Sequence, residues 1–246
     1  MEWCDQGLVL SARKHGETSV IASILTPHQG RHMGLVRGGQ SRRRQGLLQP
    51  GNVVDAVWRA RLADHLGSYT LEPVHDYFAL VLDDPLRLKG LSAALGLLHG
   101  TLAERDPHPG IYQATLSFLE HLVSMTDDGA EGRSWVAVYV HWELELLDCL
   151  GFGLDLSACA ATGAVDELIY VSPRTGRAVS AAAGAPYRGK LLALPGFMLD
   201  PSSAPDKDDL IAGLRLTGYF LDRHHYAAEG RTIPAARTRL IEALWN

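Results

Sequence analysis

The first 75 residues carry short apolar runs separated by turn signals, which is the pattern of β-strands. Alternating or β-branched residues occupy five runs, at 7–13, 18–25, 31–37, 52–60 and 67–74. Pro and Gly in TPHQG, between the second and third runs, are typical of a hairpin loop. Five short strands with a long third-to-fourth connection favour a small closed barrel of the OB type. A five-stranded SH3-like barrel would give a similar pattern, so both stay open at this point.

After Asp83 the apolar period changes to that of a helix. The segment DDPLRLKG has an Asp cap and Pro85 in its first turn, and the leucines that follow recur at spacings of three and four. Further helices are predicted at about 109–125, 134–150, 206–222 and 234–245, with a loop at 128–133. We therefore predict an α+β chain with a β-barrel domain over 1–80 and a helical domain over 81–246.

A different segment lies between the third and fourth helices. Two short strands, IYVS and RAVS, are predicted here, joined by the turn PRTG. Two similar short segments, which we call the knuckles, flank them: CAATG at 159–163 and SAAAG at 180–184. Cysteines at 162, 180 and 183 would complete with Cys159 the C-x2-C-x17-C-x2-C spacing of a four-thiolate zinc site. Those positions hold Thr162, Ser180 and Ala183, which cannot replace thiolates. We predict no metal here, and a half-buried structural thiol at Cys159.

The composition is that of a globular protein able to bury a sizeable core. Of the 246 residues, 46% are hydrophobic and 21% are charged. The apolar stretches are too short for a membrane span, and the start MEWCDQ lacks the basic region and apolar run of a secretory signal. Three widely spaced cysteines suit a reducing compartment better than a disulfide framework. The predicted location is the cytoplasm.

The net charge of −5 is unevenly distributed along the chain. Residues 1–80 contain nine Lys and Arg and seven Asp and Glu, whereas residues 81–246 contain fourteen and twenty-one. Five of those nine basic residues lie within 31–44, where there is no acidic residue. Because a polyanion responds to the local field and not to the total charge, the first domain stays a candidate for binding nucleic acid.

Catalytic motifs are absent from the sequence. His141-Trp-Glu143 has the H-x-E that opens the zinc-deaminase signature, but no P-C-x-x-C follows it. There is no G-x-S-x-G, no phosphate-binding G-x-x-x-x-G-K-[ST] and no G-x-G-x-x-G after a strand. The sequence therefore predicts neither an enzyme nor a cofactor.

The segment GGQSRRRQG at 38–46 places three consecutive arginines between glycines. A run of charge usually does no more than solvate a loop, and that interpretation stays open. A phosphate contact is the alternative, because a polyanion would relieve the repulsion within the run and glycines let the backbone approach phosphates. In an OB barrel the loops and one strand face also form a groove for nucleic-acid strands.

Four stretches, in this order, resemble the RecO family of bacterial DNA repair proteins. LVLSARKHGETSVIASILTPHQGRHMGLVRGGQSRRR resembles the opening of that family, with its basic, glycine-rich stretch. ELELLDCLGFGLDLSACAATG resembles its helix and G-F-x-x-x-L-x-x-C knuckle, YVSPRTGRAV its S-P-x-x-G hairpin, and LRLTGYFLDRHH its late helix. Their order and spacing cover nearly all of the chain.

The resemblance implies an N-terminal OB-fold domain and a helical domain with a zinc-ribbon-like β-hairpin insertion at 157–200. Some members bind zinc there, but this chain lacks three of the four cysteines, so its insertion is degenerate and no metal carries over. The implied activity is the binding of single- and double-stranded DNA and the annealing of strands, without catalysis. Together with RecR, such a mediator loads RecA on strands covered by single-strand binding protein. It also binds the acidic C-terminal tail of that protein.

Two sets of side chains are candidate sites on this resemblance. The predicted phosphate contacts, which need not read sequence, are Arg13, Lys14, Arg31, Arg37, Arg42, Arg43, Arg44, Arg59 and Arg61. The tail-binding candidates, which would rim an apolar pocket of the helical domain and pair with the tail's carboxylate, are Arg105, His121 and Arg133.

A competing function is a protein-interaction scaffold that recruits partners and binds DNA weakly or not at all. The excess of acidic residues in 81–246 favours this function, since an acidic domain would not add to a DNA-binding surface. A zinc-dependent nucleic-acid enzyme would need ligands that this sequence lacks.

Overall fold

The fold is α+β and divides into two compact units. A computed structural model describes residues 1–124, 134–200 and 202–245. Unit 1 comprises Met1–Val123 and Pro234–Asn246, and unit 2 comprises Ser124–Ile233. This division differs from the boundary predicted at residue 80, because the helices that follow the barrel in unit 1 pack together with the C-terminal helix.

Five strands, interrupted by one short helix, come first and helices with three further short strands follow. The strands are β1 Glu2–His15, β2 Ser19–Thr26, β3 Gly30–Val36, β4 Asn52–Arg59, β5 Ser68–Asp76, β6 Leu168–Val171, β7 Ala178–Ser180 and β8 Leu192–Ala193. The helices are α1 Arg42–Leu47, α2 Tyr77–Val81, α3 Pro85–Thr101, α4 Pro109–Ser124, α5 Ser134–Cys149, α6 Ala181–Gly184, α7 Lys207–Leu221 and α8 Ala235–Trp245. Each longer helix begins and ends within about one residue of its predicted bounds, and the loop predicted at 128–133 lies outside the described residues.

The first five strands close into a barrel in the order β1-β2-β3-β5-β4. β1 is long enough to pair antiparallel with two neighbours, with β2 along its C-terminal half and with β4 along its N-terminal half. A parallel contact between Leu35 of β3 and Ser68 of β5 completes the closure. The prediction of five strands is therefore confirmed.

The barrel interior is filled by aliphatic residues and two crossing aromatic rings, Trp58 and Tyr69. Gly34 makes room for them, since a Cβ at that position would lie 2.4 Å from the Tyr69 ring. The Tyr69 hydroxyl donates to the carbonyl of His32 at 3.1 Å. The buried phenol of Tyr69 is therefore hydrogen-bonded.

The predicted loop at 38–46 is wrong in part, because its second half forms the short helix α1. Leu47 and Leu48 pack against the barrel core, and the Asn52 side-chain amide donates to the carbonyl of Gly46 at 3.0 Å. A six-residue helix without a side-chain cap at Ser41 would not persist alone. Tertiary contacts stabilise it, which a local pattern cannot reveal.

The connection between α3 and α4 is fastened to the barrel within unit 1. α3 begins as predicted, with the Asp84 carboxylate accepting from the backbone N–H of Arg87 at 3.0 Å. At its other end, the Arg31 Nε donates to the carbonyl of Leu102 at 2.9 Å, and the Arg105 N–H donates to the carbonyl of Arg31 at 2.9 Å. The first residues of β3 thereby hold the α3–α4 connection against the barrel.

Unit 2 joins a helix pair to a three-stranded sheet. β6 and β7 form the predicted hairpin, and β8 pairs with the other edge of β6. α5 packs on α7, and the buried Thr217 hydroxyl donates to the buried Glu143 carboxylate at 2.5 Å. Within the described part of the chain, no helix is both long and apolar enough to cross a membrane.

Gly30 is predicted to be the glycine of the barrel least tolerant of a side chain. Its φ is 66°, and a Cβ there would lie 2.2 Å from the carbonyl oxygen of Asp106. Gly30→Ala should lower the free energy of unfolding by about 3 kcal/mol or more, measured by chemical denaturation. Gly16→Ala is the control: its φ is 60°, but nothing lies within 4 Å, so only the left-handed strain of about 1 kcal/mol is expected. Equal losses in the two variants would contradict the close approach.

Candidate nucleic-acid interface

Six of the nine predicted phosphate contacts gather at one end of the barrel. We call them the basic cluster: Arg13, Lys14, Arg37, Arg42, Arg43 and Arg44. Lys14 and Val36 both pair with Val20, on either side of β2. The ends of β1 and β3 therefore lie two strand spacings apart, about 10 Å, and Arg37 follows directly on Val36.

The side chain of Gln40 ties the two parts of the basic cluster together. Its Nε2 donates to the carbonyls of Gly16 and Ser19, at 3.0 and 3.1 Å. Its backbone N–H donates to the carbonyl of Thr18 at 3.1 Å. The β1–β2 turn and the connection that leads into α1 are thus bound to one another. Residues that are more than 20 positions apart in sequence form one surface.

The basic cluster is exposed and without acidic partners. All six side chains lie in the exposed class. Among the residues that the structure describes, no carboxylate forms an ion pair with any of them. The Arg44 side chain donates to the backbone carbonyl of Arg37, which ties α1 to the end of β3. The first turn of α1 is also positively charged and has no acidic residue, an arrangement that the helix dipole disfavours.

The other three predicted phosphate contacts are not part of the basic cluster. Arg31 lies at the opposite end of β3 from Arg37, about 20 Å along the strand. Its guanidinium donates a hydrogen bond to the carbonyl of Leu102. Arg59 forms an ion pair with Glu2 at 2.7 Å. Arg61 is exposed in the β4–β5 connection. Arg31 and Arg59 are therefore held away from the basic cluster, whose side chains form no ion pair within the described residues.

A groove runs between α1 and β5 beside the basic cluster. Arg37, Arg44 and Leu47 line one side, and Ser68, Thr70 and Leu71 line the other. A second cavity continues along β5 past Arg43, where Glu72 and Asp76 are among the lining residues. The part of the surface that is suited to phosphates is therefore the first groove and the exposed face of the cluster, and the acidic stretch of β5 limits it.

A second site was missed by sequence reasoning. Trp3, His32 and Trp58 line a pocket of about 500 Å³ together with Arg105, which comes from the α3–α4 connection. The signal in the sequence is weak: each aromatic residue occupies an inward position on a different strand, as core residues do. Only the closure of the barrel brings them together. We call this the aromatic pocket.

The three predicted tail-binding residues are not brought together. Arg105 precedes α4, whereas His121 lies in its last turn, about 18 Å along the helix axis from the first residue. The His121 Nδ1 is 2.8 Å from the carbonyl of Ser117, one turn earlier. Arg133 lies outside the described residues.

The two knuckles that flank the hairpin meet around Cys159. Its sulfur accepts from the backbone N–H of Ser180 at 3.3 Å, and its side chain is 1% exposed. Cys159 is thus fully buried, more than predicted, because Ser180 of the second knuckle covers it. Among the described residues, no three His, Cys, Asp or Glu side chains form a group that could hold a metal ion. Hydrogen bonds from Ser180 and Thr162 lower the pKa of the Cys159 thiol to about 6.

Comparison with known proteins agrees with this arrangement. The family model described as Recombination protein O N terminal matches residues 1–77, and the one described as Recombination protein O C terminal matches residues 82–230. The DNA repair protein RecO of Rhodospirillum centenum is 50% identical over 244 residues, which is 98% of this chain and 94% of that protein. The RecO of Rhodospirillum rubrum is 49% identical over 247 residues, 99% of this chain and 96% of that protein. The RecO of Sinorhizobium medicae is 47% identical over 243 residues, 99% of this chain and 94% of that protein.

A barrel with an exposed cationic surface, joined to a helical part that matches a recombination family, defines a DNA repair protein of the recombination class. Several relatives are about 50% identical to this chain over nearly its full length, which makes the assignment specific. The chain belongs to the RecO family.

The ionisation of Cys159 is predicted to be visible near pH 6. Folding lowers the pKa of this thiol from its ordinary value of 9.0, so its ionisation stabilises the folded chain fully above pH 9. That contribution is lost as the pH falls through about 6. The thiolate absorbance in the ultraviolet, taken as the difference between the parent chain and Cys159→Ser, should titrate around that pH. A difference spectrum that changes only near pH 9 would contradict the hydrogen-bonded thiolate.

Proposed function

We propose that this chain binds DNA without reading its sequence and acts as a recombination mediator. The observation that carries the proposal is the basic cluster, in which six exposed cations lie together without acidic partners among the described residues. Such side chains neutralise phosphates and release counterions, which gives affinity but no base discrimination. Membership of the RecO family supports the same role.

Strand annealing follows from the same surface. Two single strands repel one another, and this repulsion falls when both contact one set of cations. The flexible arginine side chains of α1 and the lysine of β1 can contact two backbones at once, since none is held by an ion pair within the described residues. The step forms no covalent bond, so we propose a binding protein without catalytic activity or cofactor.

The barrel is proposed to be of the OB type, and residues 157–200 to be a zinc-ribbon-like insertion that has lost its metal. The strand order and the long third-to-fourth connection support the first assignment. The meeting of the two knuckles at Cys159 and Ser180 supports the second, because packing and hydrogen bonds occupy the place of the thiolate ligands.

The proposed partners are single- and double-stranded DNA, RecR, RecA and the acidic C-terminal tail of single-strand binding protein. With RecR, the protein would load RecA on strands that single-strand binding protein covers. Its proposed location is the cytoplasm, where these components act on DNA. The basic cluster supplies the DNA contact, and partners would dock elsewhere on the chain.

A protein-interaction scaffold is the second candidate function. The excess of acidic residues in 81–246 favours it, because that part of the chain would repel a DNA backbone. In this alternative the barrel would have little affinity for strands, and partner recruitment would be the whole activity. DNA affinity at low salt separates the two functions.

Reversing the charge of Arg42, Arg43 and Arg44 together is predicted to weaken DNA binding. Each lost phosphate contact removes roughly 0.7 to 0.9 from the slope of log affinity against log salt, so the slope should fall by about 2 to 3. Fluorescence anisotropy with labelled single-stranded DNA across a salt series measures both quantities. Circular dichroism checks that the variant is folded.

The matched control reverses three exposed cations of unit 2, Arg174, Arg188 and Lys190. It changes the net charge by the same amount but leaves the basic cluster intact, so its salt slope should stay close to that of the parent chain. Equal losses in both variants would mean that net charge, and not the cluster, determines binding. Unchanged binding by the Arg42/Arg43/Arg44 variant at low salt would remove the cluster from the mechanism.

Tail binding is tested with an acidic peptide that ends in phenylalanine. Its terminal aromatic ring and carboxylate need an apolar pocket rimmed by a cation. Isothermal titration with the full chain should show saturable binding that Arg105→Ala or His121→Ala weakens. Because the two residues are far apart, only one of these variants should have a large effect. An absence of binding would count against the tail as a partner.

A further inference from the structure

The aromatic pocket lies among inward-facing residues of three strands of the barrel. Trp3 of β1, His32 of β3 and Trp58 of β4 form its aromatic lining, and Ala63, Arg105 and Pro107 border it. His32 and Trp58 are buried, with 4% and 2% of their surfaces exposed, whereas Trp3 is only half-buried. Trp3 is therefore the ring of this set that a ligand can reach.

The rings hold one another in place. Trp3 and Trp58 lie nearly parallel, with centroids 5.9 Å apart and an angle of 16° between the planes. His32 meets both edge-on, at 5.3 Å from Trp3 and 4.7 Å from Trp58. One side of the Trp3 indole is thus committed to packing, and its orientation is fixed before any ligand arrives.

Arg105 is positioned beside these rings by a strained backbone. Its φ of 61° is unusual for a residue with a Cβ, and such strain persists where surrounding contacts enforce it. Here the Arg105 N–H donates to the carbonyl of Arg31 and its Nη2 donates to the carbonyl of His65 at 3.1 Å. The guanidinium is consequently held at the border of the pocket.

The charge around the pocket favours an anionic ligand. Glu2 lines it, but its carboxylate is paired with Arg59 at 2.7 Å. Asp5, nearby on β1, accepts from the backbone N–H of His28 at 3.1 Å and lies 3.2 Å from the His28 ring. Burial is the main cause that lowers the pKa of His32, so that ring is an uncharged part of the lining. Arg105 is a cation of the pocket lining, and Glu104, the residue before it, also acts on His32 and partly offsets its charge.

We propose that the aromatic pocket binds one unpaired nucleotide of single-stranded DNA. The base would stack on the exposed side of Trp3, and Arg105 would contact the phosphate of the same nucleotide. Stacking on an aromatic side chain accepts any base, because every base has a π-face. A duplex cannot enter, since its bases are already stacked and paired. The proposal rests on the DNA-binding function above and adds to it a means of preferring single strands.

The position of β3 favours a nucleotide over a peptide. This strand contributes His32 to the aromatic pocket and leads, five residues later, into Arg37 of the basic cluster, a distance of about 17 Å. A single strand that contacts both places needs only to follow β3 along the barrel. The half-buried positions of β3 between them, Met33 and Leu35, carry no charge that would oppose it.

The experiment compares two oligomers with the same backbone. One is oligothymidylate about 12 nucleotides long, within the usual site size of an OB fold, and the other is the same oligomer without bases. Anisotropy with the full chain should show that the parent chain prefers the oligomer with bases by about 5-fold to 100-fold, from one stacked base. Trp3→Ala should reduce this preference about fivefold or more, and leave duplex affinity unchanged.

Conservative variants separate stacking from folding. Trp3→Phe keeps an aromatic face and should retain most of the preference. Arg105→Gly removes the guanidinium and relieves the strained φ, so it should weaken binding of oligothymidylate without lowering the free energy of unfolding. Tyr187→Ala and Arg174→Ala, at exposed positions of unit 2, are the controls and should leave the preference intact.

The outcomes distinguish this proposal from the broader function. If the parent chain binds neither oligomer, the DNA-binding function itself fails. If it binds both oligomers equally, or if folded Trp3→Ala keeps the full preference for bases, the aromatic pocket is not a nucleotide site although DNA binding stands. The pocket proposal is likewise overturned if Trp3→Ala abolishes binding of the Phe-terminated acidic peptide but leaves the preference for bases intact.

Discussion

The pairing order of the five N-terminal strands is the constraint on which both candidate sites depend, and the aromatic pocket also needs their closure into a barrel. β1 pairs with β2 and β4, and β3 meets β5 in parallel. That order places the ends of β1 and β3 on either side of β2, which gathers the basic cluster. It also points Trp3, His32 and Trp58 into one pocket. The aromatic pocket would not exist on an open sheet with the same sequence, because β3 and β4 would then lie at different distances from Trp3 with β1 and β2 between them.

Ion pairing separates cations that support the fold from cations available to a ligand. Arg59 is paired with Glu2, and Arg31 holds the carbonyl of Leu102, so both stabilise the barrel and its attached connection. The arginines of α1 form no ion pair among the described residues, although Arg44 donates to the carbonyl of Arg37, and their charges repel one another. The repulsion is tolerated because solvent screens exposed charges. A phosphate backbone would replace that screening with direct contacts, which is the physical basis of the proposed function.

In unit 2, packing and hydrogen bonds hold together the β6–β7 hairpin and the segments that flank it. Cys159 and Ser180 occupy two of the four positions with zinc-site spacing, and the hydrogen bond from the Ser180 N–H to the Cys159 sulfur joins the knuckles. Gly184 packs closely on Tyr170 of the hairpin, where a Cβ would lie 2.4 Å from the ring. Close packing and a hydrogen bond therefore join the two sides of this segment. A buried thiol in such a place acquires a lowered pKa as a consequence of its donors.

The sequence by itself determined the strands of the barrel, the helix bounds, the hairpin and the RecO resemblance, because periodicity, caps and turn residues are local signals. It also indicated the run of arginines, although it did not reveal that Arg42 to Arg44 begin a helix, since α1 depends on Leu47 and Leu48 packing on the core. Only the tertiary structure decided which cations are unpaired and that Trp3 and Arg105 share a pocket. The physical reason is that pairing and proximity depend on strand register and on the attachment of the α3–α4 connection to β3, and these bring together residues up to about a hundred positions apart.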